Sequence, residues 1–257
     1  MRLSLLVVML TIAQQRLGVE SVDLRPLDSI ATGISACSSF HHLHLNDARP
    51  PFLINFYERL FEPSRTTRVS TGGVEALKSG SMLMLFSRAS EGRALATAIW
   101  HFGWGQVSLG ETYLAHARRE VAWEPPLPAE RLHLHLRSVA PRTTATWYAD
   151  VLGARIETTV PSSLDARLPR PENRMPEALV WIGDTGLLIY RTEPPLFSTR
   201  GQRADHLAIG CTNLDATLST LYARGVTVTS SARQQGEMRT AMIEGPDRIA
   251  IELVEMP

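Results

Sequence analysis

Phe40-His41-His42-Leu43-His44-Leu45 and Arg131-Leu132-His133-Leu134-His135-Leu136 are the stretches whose reading decides the fold. A shift of 91 positions, from His42 to His133, also lays His44 on His135, Pro50 on Pro141 and Tyr57 on Tyr148. No gap is needed as far as Glu62 and Gly153. The match resumes after a small slip, where Glu75-Ala76-Leu77 resembles Glu177-Ala178-Leu179 and residues 82–86 resemble 186–190. A weaker pair joins Trp100-His101-Phe102-Gly103 to Asp205-His206-Leu207-Ala208. Each member precedes a helical pattern, Leu109 to Arg119 in the first and Leu214 to Arg224 in the second. The chain therefore contains four related units, A to D in chain order, and repeats of this length are repeated supersecondary units.

The periods within a unit predict its local structure. Leu132, Leu134 and Leu136 alternate with His133, His135 and Arg137, and Leu207 and Ile209 alternate with His206, Ala208 and Gly210. Strict alternation is the signature of a strand with one apolar face. Trp147, Val151 and Leu152 then share one face of a helix over Thr143 to Leu152, with Gly153 suited to end it. Short β-rich runs follow, Ala178 to Ile182 and Leu187 to Tyr190, split by the turn Gly183-Asp184-Thr185-Gly186. Unit D closes with Arg239 to Glu244, the turn Gly245-Pro246-Asp247, and Ile249 to Val254. A complete unit is strand, helix, strand, strand, strand, so the chain is predicted to be an α+β protein of tandem βαβββ modules. Unit B is incomplete: Glu124-Pro125-Pro126-Leu127-Pro128 interrupts it before unit C begins, and these prolines suit a domain junction. The expected organisation is a first domain over 36–128 with a truncated second module, and a second, intact domain over 129–257. Units C and D side by side would form a curved sheet whose polar inner face is a ligand cup.

Opening strands of neighbouring units are expected to lie close, which sets His133 and His206 toward one cavity. In the closing strand Ile249-Ala250-Ile251-Glu252-Leu253, the apolar Ile251 and Leu253 take the helix side and turn Glu252 inward. A carboxylate there is costly unless it is paired, hydrogen-bonded or bound to a cation. Two imidazoles and one carboxylate leave coordination positions open and suit Fe(II), Mn(II) or a similar divalent ion. His135, one step along the same face from His133, is the candidate for proton transfer, with an outer-shell or substitute-ligand role as alternatives. Tyr190 and Trp181 are read as cavity lining or core. His42, His44 and His101 look like a second, degenerate site, because the stretch that would supply its glutamate is missing from unit B.

The repeat, the x-His-Leu-x-[Leu/Ile] opening strands and the closing Gly245-Pro246-Asp247-Arg248-Ile249-Ala250-Ile251-Glu252-Leu253-Val254-Glu255 resemble the vicinal oxygen chelate superfamily of glyoxalases, extradiol dioxygenases and bleomycin-resistance proteins. The resemblance covers roughly residues 38–257. It implies that His133, His206 and Glu252 hold one divalent metal, Fe(II), Mn(II), Zn(II) or Ni(II). It further implies an enzyme, a dioxygenase or a lyase or isomerase, whose small oxygen-rich substrate chelates that metal; the alternative is a non-catalytic, resistance-type binding protein. The sequence departs from the family pattern at Tyr190, which stands where a glyoxalase has a fourth ligand. It departs again between Ala140 and Arg203, where no histidine matches the dioxygenase acid/base residue.

Composition narrows the class further. The 257 residues are 44% hydrophobic and 20% charged, as in ordinary globular proteins, and 26 Lys+Arg balance 26 Asp+Glu. That balance disfavours nucleic acid, whose binding needs a concentrated basic surface. Met1-Arg2, the apolar run Leu3 to Ile12 and the small residues before Gln14 have the layout of a secretory signal, so residues 1–18 are read as signal peptide and leader of an exported protein. No later stretch is apolar enough to span a membrane, and a homodimer is plausible because the truncated unit B leaves a sheet edge. Cys37 and Cys211 could pair in an oxidising compartment, but are read as two separate small buried residues.

Overall fold

Pro50 and Pro141, equivalent in the repeat, both stand at the start of a helix, where the missing proline N–H costs nothing. The computed structural model describes residues 37–61, 66–89, 95–104, 107–110, 132–157 and 176–257. The signal segment, the Pro-rich junction and most of the helix expected over Leu109 to Arg119 lie outside them. Leu109 itself is in a strand.

Unit A comprises β1 (Cys37–Asp47), α1 (Pro50–Leu60), β2 (Thr66–Thr71), β3 (Val74–Ser79) and β4 (Met82–Arg88). Unit B contributes β5 (Ile99–Trp104) and β6 (Val107–Gly110). Unit C is β7 (Leu132–Ser138), α2 (Pro141–Leu152), β8 (Arg155–Glu157), β9 (Ala178–Ile182) and β10 (Thr185–Arg191). Unit D is β11 (Ala204–Cys211), α3 (Leu214–Ala223), β12 (Thr227–Gln235), β13 (Met238–Glu244) and β14 (Ala250–Glu255). The complete units thus have the strand, helix and three-strand order that the periods imply. Gly153 ends α2 in the left-handed region, at φ 67°, and Asn213 caps α3 by accepting from the Ala216 N–H.

The pairing of units differs from expectation. The eight-stranded sheet runs β12-β13-β14-β11-β1-β4-β3-β2, and the six-stranded sheet runs β6-β5-β7-β10-β9-β8. Unit D therefore pairs with unit A, and unit C with unit B, through antiparallel opening strands. Each sheet draws on both halves of the chain, so the cup expected from C and D alone does not form. The alternation that marks these strands is the same in every unit, and by itself leaves open which edges join.

The β1–β11 ladder sets Cys37 opposite Cys211, and the two are joined in a disulfide rather than standing as separate buried residues. The apolar faces follow the sequence pattern. Leu43 and Leu45, Leu134 and Leu136, Leu207 and Ile209, and Ile251 and Leu253 are buried in one core shared by both sheets. The eight-stranded sheet curls until its outer hairpins touch. A Cβ on Gly236, at the β12–β13 tip, would lie 2.9 Å from the Gly72 Cα at the β2–β3 tip. Both glycines have positive φ (60° and 58°), which the tight tips require.

Candidate metal centre

Within that curl, three adjacent strands set His42, Ala208 and Glu252 in one row: His42 pairs with Ala208, and Ala208 with Glu252. The alanine methyl is too small to separate the two side chains that flank it. Nε2 of His42 lies 3.4 Å from Oε2 of Glu252, and Nε2 of His206 lies 3.5 Å from the same oxygen. These separations are long for an N–H···O hydrogen bond. They match two donors on one cation: at bond lengths of about 2.1 Å and angles of about 90–115°, donors stand about 3.0–3.5 Å apart. His44, opposite His206 in the ladder, completes a cluster in which His42, His44 and His206 each offer a nitrogen within 4.8 Å of the others. The cluster is compatible with a divalent metal.

Each imidazole is held from behind. Nδ1 of His206 bonds Oδ1 of Asp205, a carboxylate–histidine arrangement that orients the ring and raises its basicity. Asp205 also accepts from Asn46 Nδ2 (2.7 Å), the Gly201 N–H (2.7 Å) and Arg200 Nη1 (3.0 Å). Nδ1 of His42 lies 2.7 Å from Nδ1 of His41, and Nε2 of His44 lies 2.8 Å from the Ser87 hydroxyl. These contacts leave Nε2 of His42 and of His206 facing Glu252.

Burial shapes the electrostatics first. It holds His44 neutral, with its pKa lowered to about 4, reinforced by the charge of nearby His206; burial likewise lowers His42 well below the ordinary value. For His206 burial also opposes the charged form, but Asp205 and Glu252 outweigh it and raise the pKa. For Asp205 burial acts upward, yet the His206 bond, Gly201 and Arg200 bring it to about 2. Glu252 is lowered in the same way, by His206 against burial.

The sign of the pH dependence follows. Between about pH 6.5 and 4 the unfolded chain binds protons that folded His44 and His42 refuse, so their share of the metal-free stability is whole above 6.5 and is lost as pH falls toward 4. Asp205 and Glu252 extend the loss below that. His206 alone acts oppositely, adding stability at low pH that is lost as pH rises through its raised pKa. Chelator-treated protein is expected to show a melting temperature that declines from pH 6.5 to 4; a flat or rising profile would contradict this cluster.

The structure brings together two members of the sequence-derived trio, His206 and Glu252, and joins them to His42 instead of His133. His133 and His135 lie on β7 in the six-stranded sheet, where His133 pairs with Gly186 and Gly103. The ring of His135 stacks on Tyr190 at 5.4 Å, and Trp100 meets the Tyr190 edge at 5.6 Å. His135 thus belongs to an aromatic cluster on the other sheet, away from the ladder that carries His206. The residues read as degenerate, His42 and His44, are those facing His206, and the carboxylate apparently missing from their half comes from unit D. Sequence reasoning also passed over Asp205 and Arg200. The signal for Asp205 was its place immediately before the opening-strand histidine of unit D.

Residues 131–253 match the family model described as the Glyoxalase/Bleomycin resistance protein/Dioxygenase superfamily. Among solved structures, a mutant of glyoxalase I from Zea mays is similar at 12% identity, over 86% of this chain and 68% of that one, with a TM-score of 0.36. The oxidase ChaP-H2 is similar at 18% identity over 49% and 91%, with a TM-score of 0.35. TioX from Micromonospora sp. ML1 is similar at 13% over 48% and 93%, with a TM-score of 0.34. Among curated proteins no sequence matches. No helix among the described residues is long and apolar enough to cross a membrane.

Proposed function

We propose that this chain is a metal-dependent enzyme in which His42, His206 and Glu252 hold one divalent cation, and whose small oxygen-rich substrate takes the remaining coordination positions. The observation that carries the reading is the convergence of two buried imidazole nitrogens on a single carboxylate oxygen at 3.4 and 3.5 Å. A cation bound there supplies Lewis acidity toward a chelated oxyanion or, if it is iron, a place for O₂.

The protein's own part is positioning and proton handling. Asp205 and His41 fix the two ligand rings. His44 is neutral at physiological pH, packs 4.5 Å from the His206 ring, and is suited to accept a proton from a substrate hydroxyl. Export fits the Cys37–Cys211 disulfide, since such bonds persist in oxidising compartments.

The test is turnover by metal-loaded protein against catechols, followed as oxygen consumption, and against α-hydroxycarbonyl compounds, followed as isomerisation. Activity is expected to vanish with chelator and return with metal. His44→Gln is expected to lower kcat by about 10²–10⁴-fold with metal content unchanged. If His44→Gln loses the metal, His44 is a ligand and not the base. Saturable ligand binding without turnover across the panel would instead favour the resistance-type binding protein.

A further inference from the structure

A cavity of about 290 Å³ opens beside the centre, lined by Ser198, Arg200, Thr229, Ser230, Met242 and Glu244 among others. Two of these connect it to the ligand cluster. Met242 is the ladder partner of Glu252. Arg200 places Nη1 3.3 Å from Nδ1 of His206 and 3.8 Å from Sδ of Met242. Among the described residues the guanidinium's contacts, including that to Asp205, run through Nη1. Nη2 and Nε have no partner among the described residues, and the side chain is 51% exposed.

Charge balance points the same way. With neutral histidines, a divalent cation and the Arg200 guanidinium face the carboxylates of Glu252 and Asp205, which leaves one net positive charge beside the cavity that Arg200 lines. Glu244, also in the lining and 3.8 Å from Arg248, disfavours a further anion beside it. We infer that this pocket selects a small metal-chelating substrate bearing one additional carboxylate, which Arg200 receives through Nη2 and Nε. The guanidinium stands one imidazole ring behind the nitrogen of His206 that faces the metal. A planar fork of donors is the group suited to bind such a carboxylate bidentately.

The inference rests on the metal reading above, and the test separates the two. Protein loaded with Mn(II) is titrated calorimetrically with malate and with lactate, which share the α-hydroxycarboxylate chelating pair and differ by the second carboxylate. Malate is expected to bind about tenfold or more tightly, the worth of one charge-assisted contact. Arg200→Gln is expected to bring the ratio near one, and Arg200→Lys to keep part of it. Equal affinities in the unaltered protein, or binding of neither acid with Mn(II) in place, overturn the role of Arg200 and leave the metal centre standing. Failure of the protein to take up Mn(II) overturns the metal reading, and this inference with it.

Discussion

His206→Ala is expected to weaken divalent metal binding by at least about a hundredfold, and His42→Ala to do the same, whereas His133→Ala leaves the metal stoichiometry unchanged. The magnitude follows from the coordination set: losing an outer-shell partner of a ligand already costs about 10–100-fold in metal affinity, and losing the ligand costs more. His206 also contacts both Asp205 and Glu252, so its removal leaves two buried carboxylates with less compensation. His133→Ala opens space in a fully buried site of the six-stranded sheet and is expected to lower stability by about 1–3 kcal/mol. Metal analysis of the three variants after dialysis against trace Mn(II) or Zn(II), beside a thermal melt, distinguishes the effects. Retention of metal by His42→Ala together with its loss in His133→Ala would restore the trio expected from sequence and reject the centre described above.

Removing the disulfide, with Cys37→Ser and Cys211→Ser together, carries the second large effect. The bridge closes a separation of 174 residues, and cross-linking so long a loop constrains the unfolded chain strongly. The chain-entropy model puts the limit near about 5 kcal/mol, with native disulfides typically worth about 2–5. For a protein of this size that corresponds to a fall of roughly 5–15 °C in melting temperature. The bridge also ties the end of the β1–β11 ladder, the two strands that carry His42, His44 and His206, so metal affinity should fall with stability. A melting temperature equal to within about 1 °C, with and without reductant, would remove the disulfide from the account.

The βαβββ order was legible because it is written in local periods. Alternating Leu and His predicts strands, Trp147, Val151 and Leu152 predict the helix, and Gly153 and Gly183 predict the breaks. The inward orientation of Glu252 was legible for the same reason, since Ile251 and Leu253 claim the core side of β14. The face that His206 takes followed from alternation, while its part in a ligand set came from the repeat and the family resemblance.

Which histidine joins them was not legible. His42 and His133 occupy equivalent places in units 91 positions apart, each followed by Leu-His-Leu, with the same capacity to bind a metal. The choice between them belongs to strand pairing at long range. β11 meets β1 and not β7, and that contact alone sets His42 across Ala208 from Glu252. The disulfide, the Asp205 bond to His206 and the Arg200 cavity follow from the same packing. Local sequence thus determined the modules and the face each donor side chain takes, because side-chain direction is a property of one strand. The tertiary structure decided which donors meet, because edges with near-identical patterns are sorted only by the packing of the whole sheet.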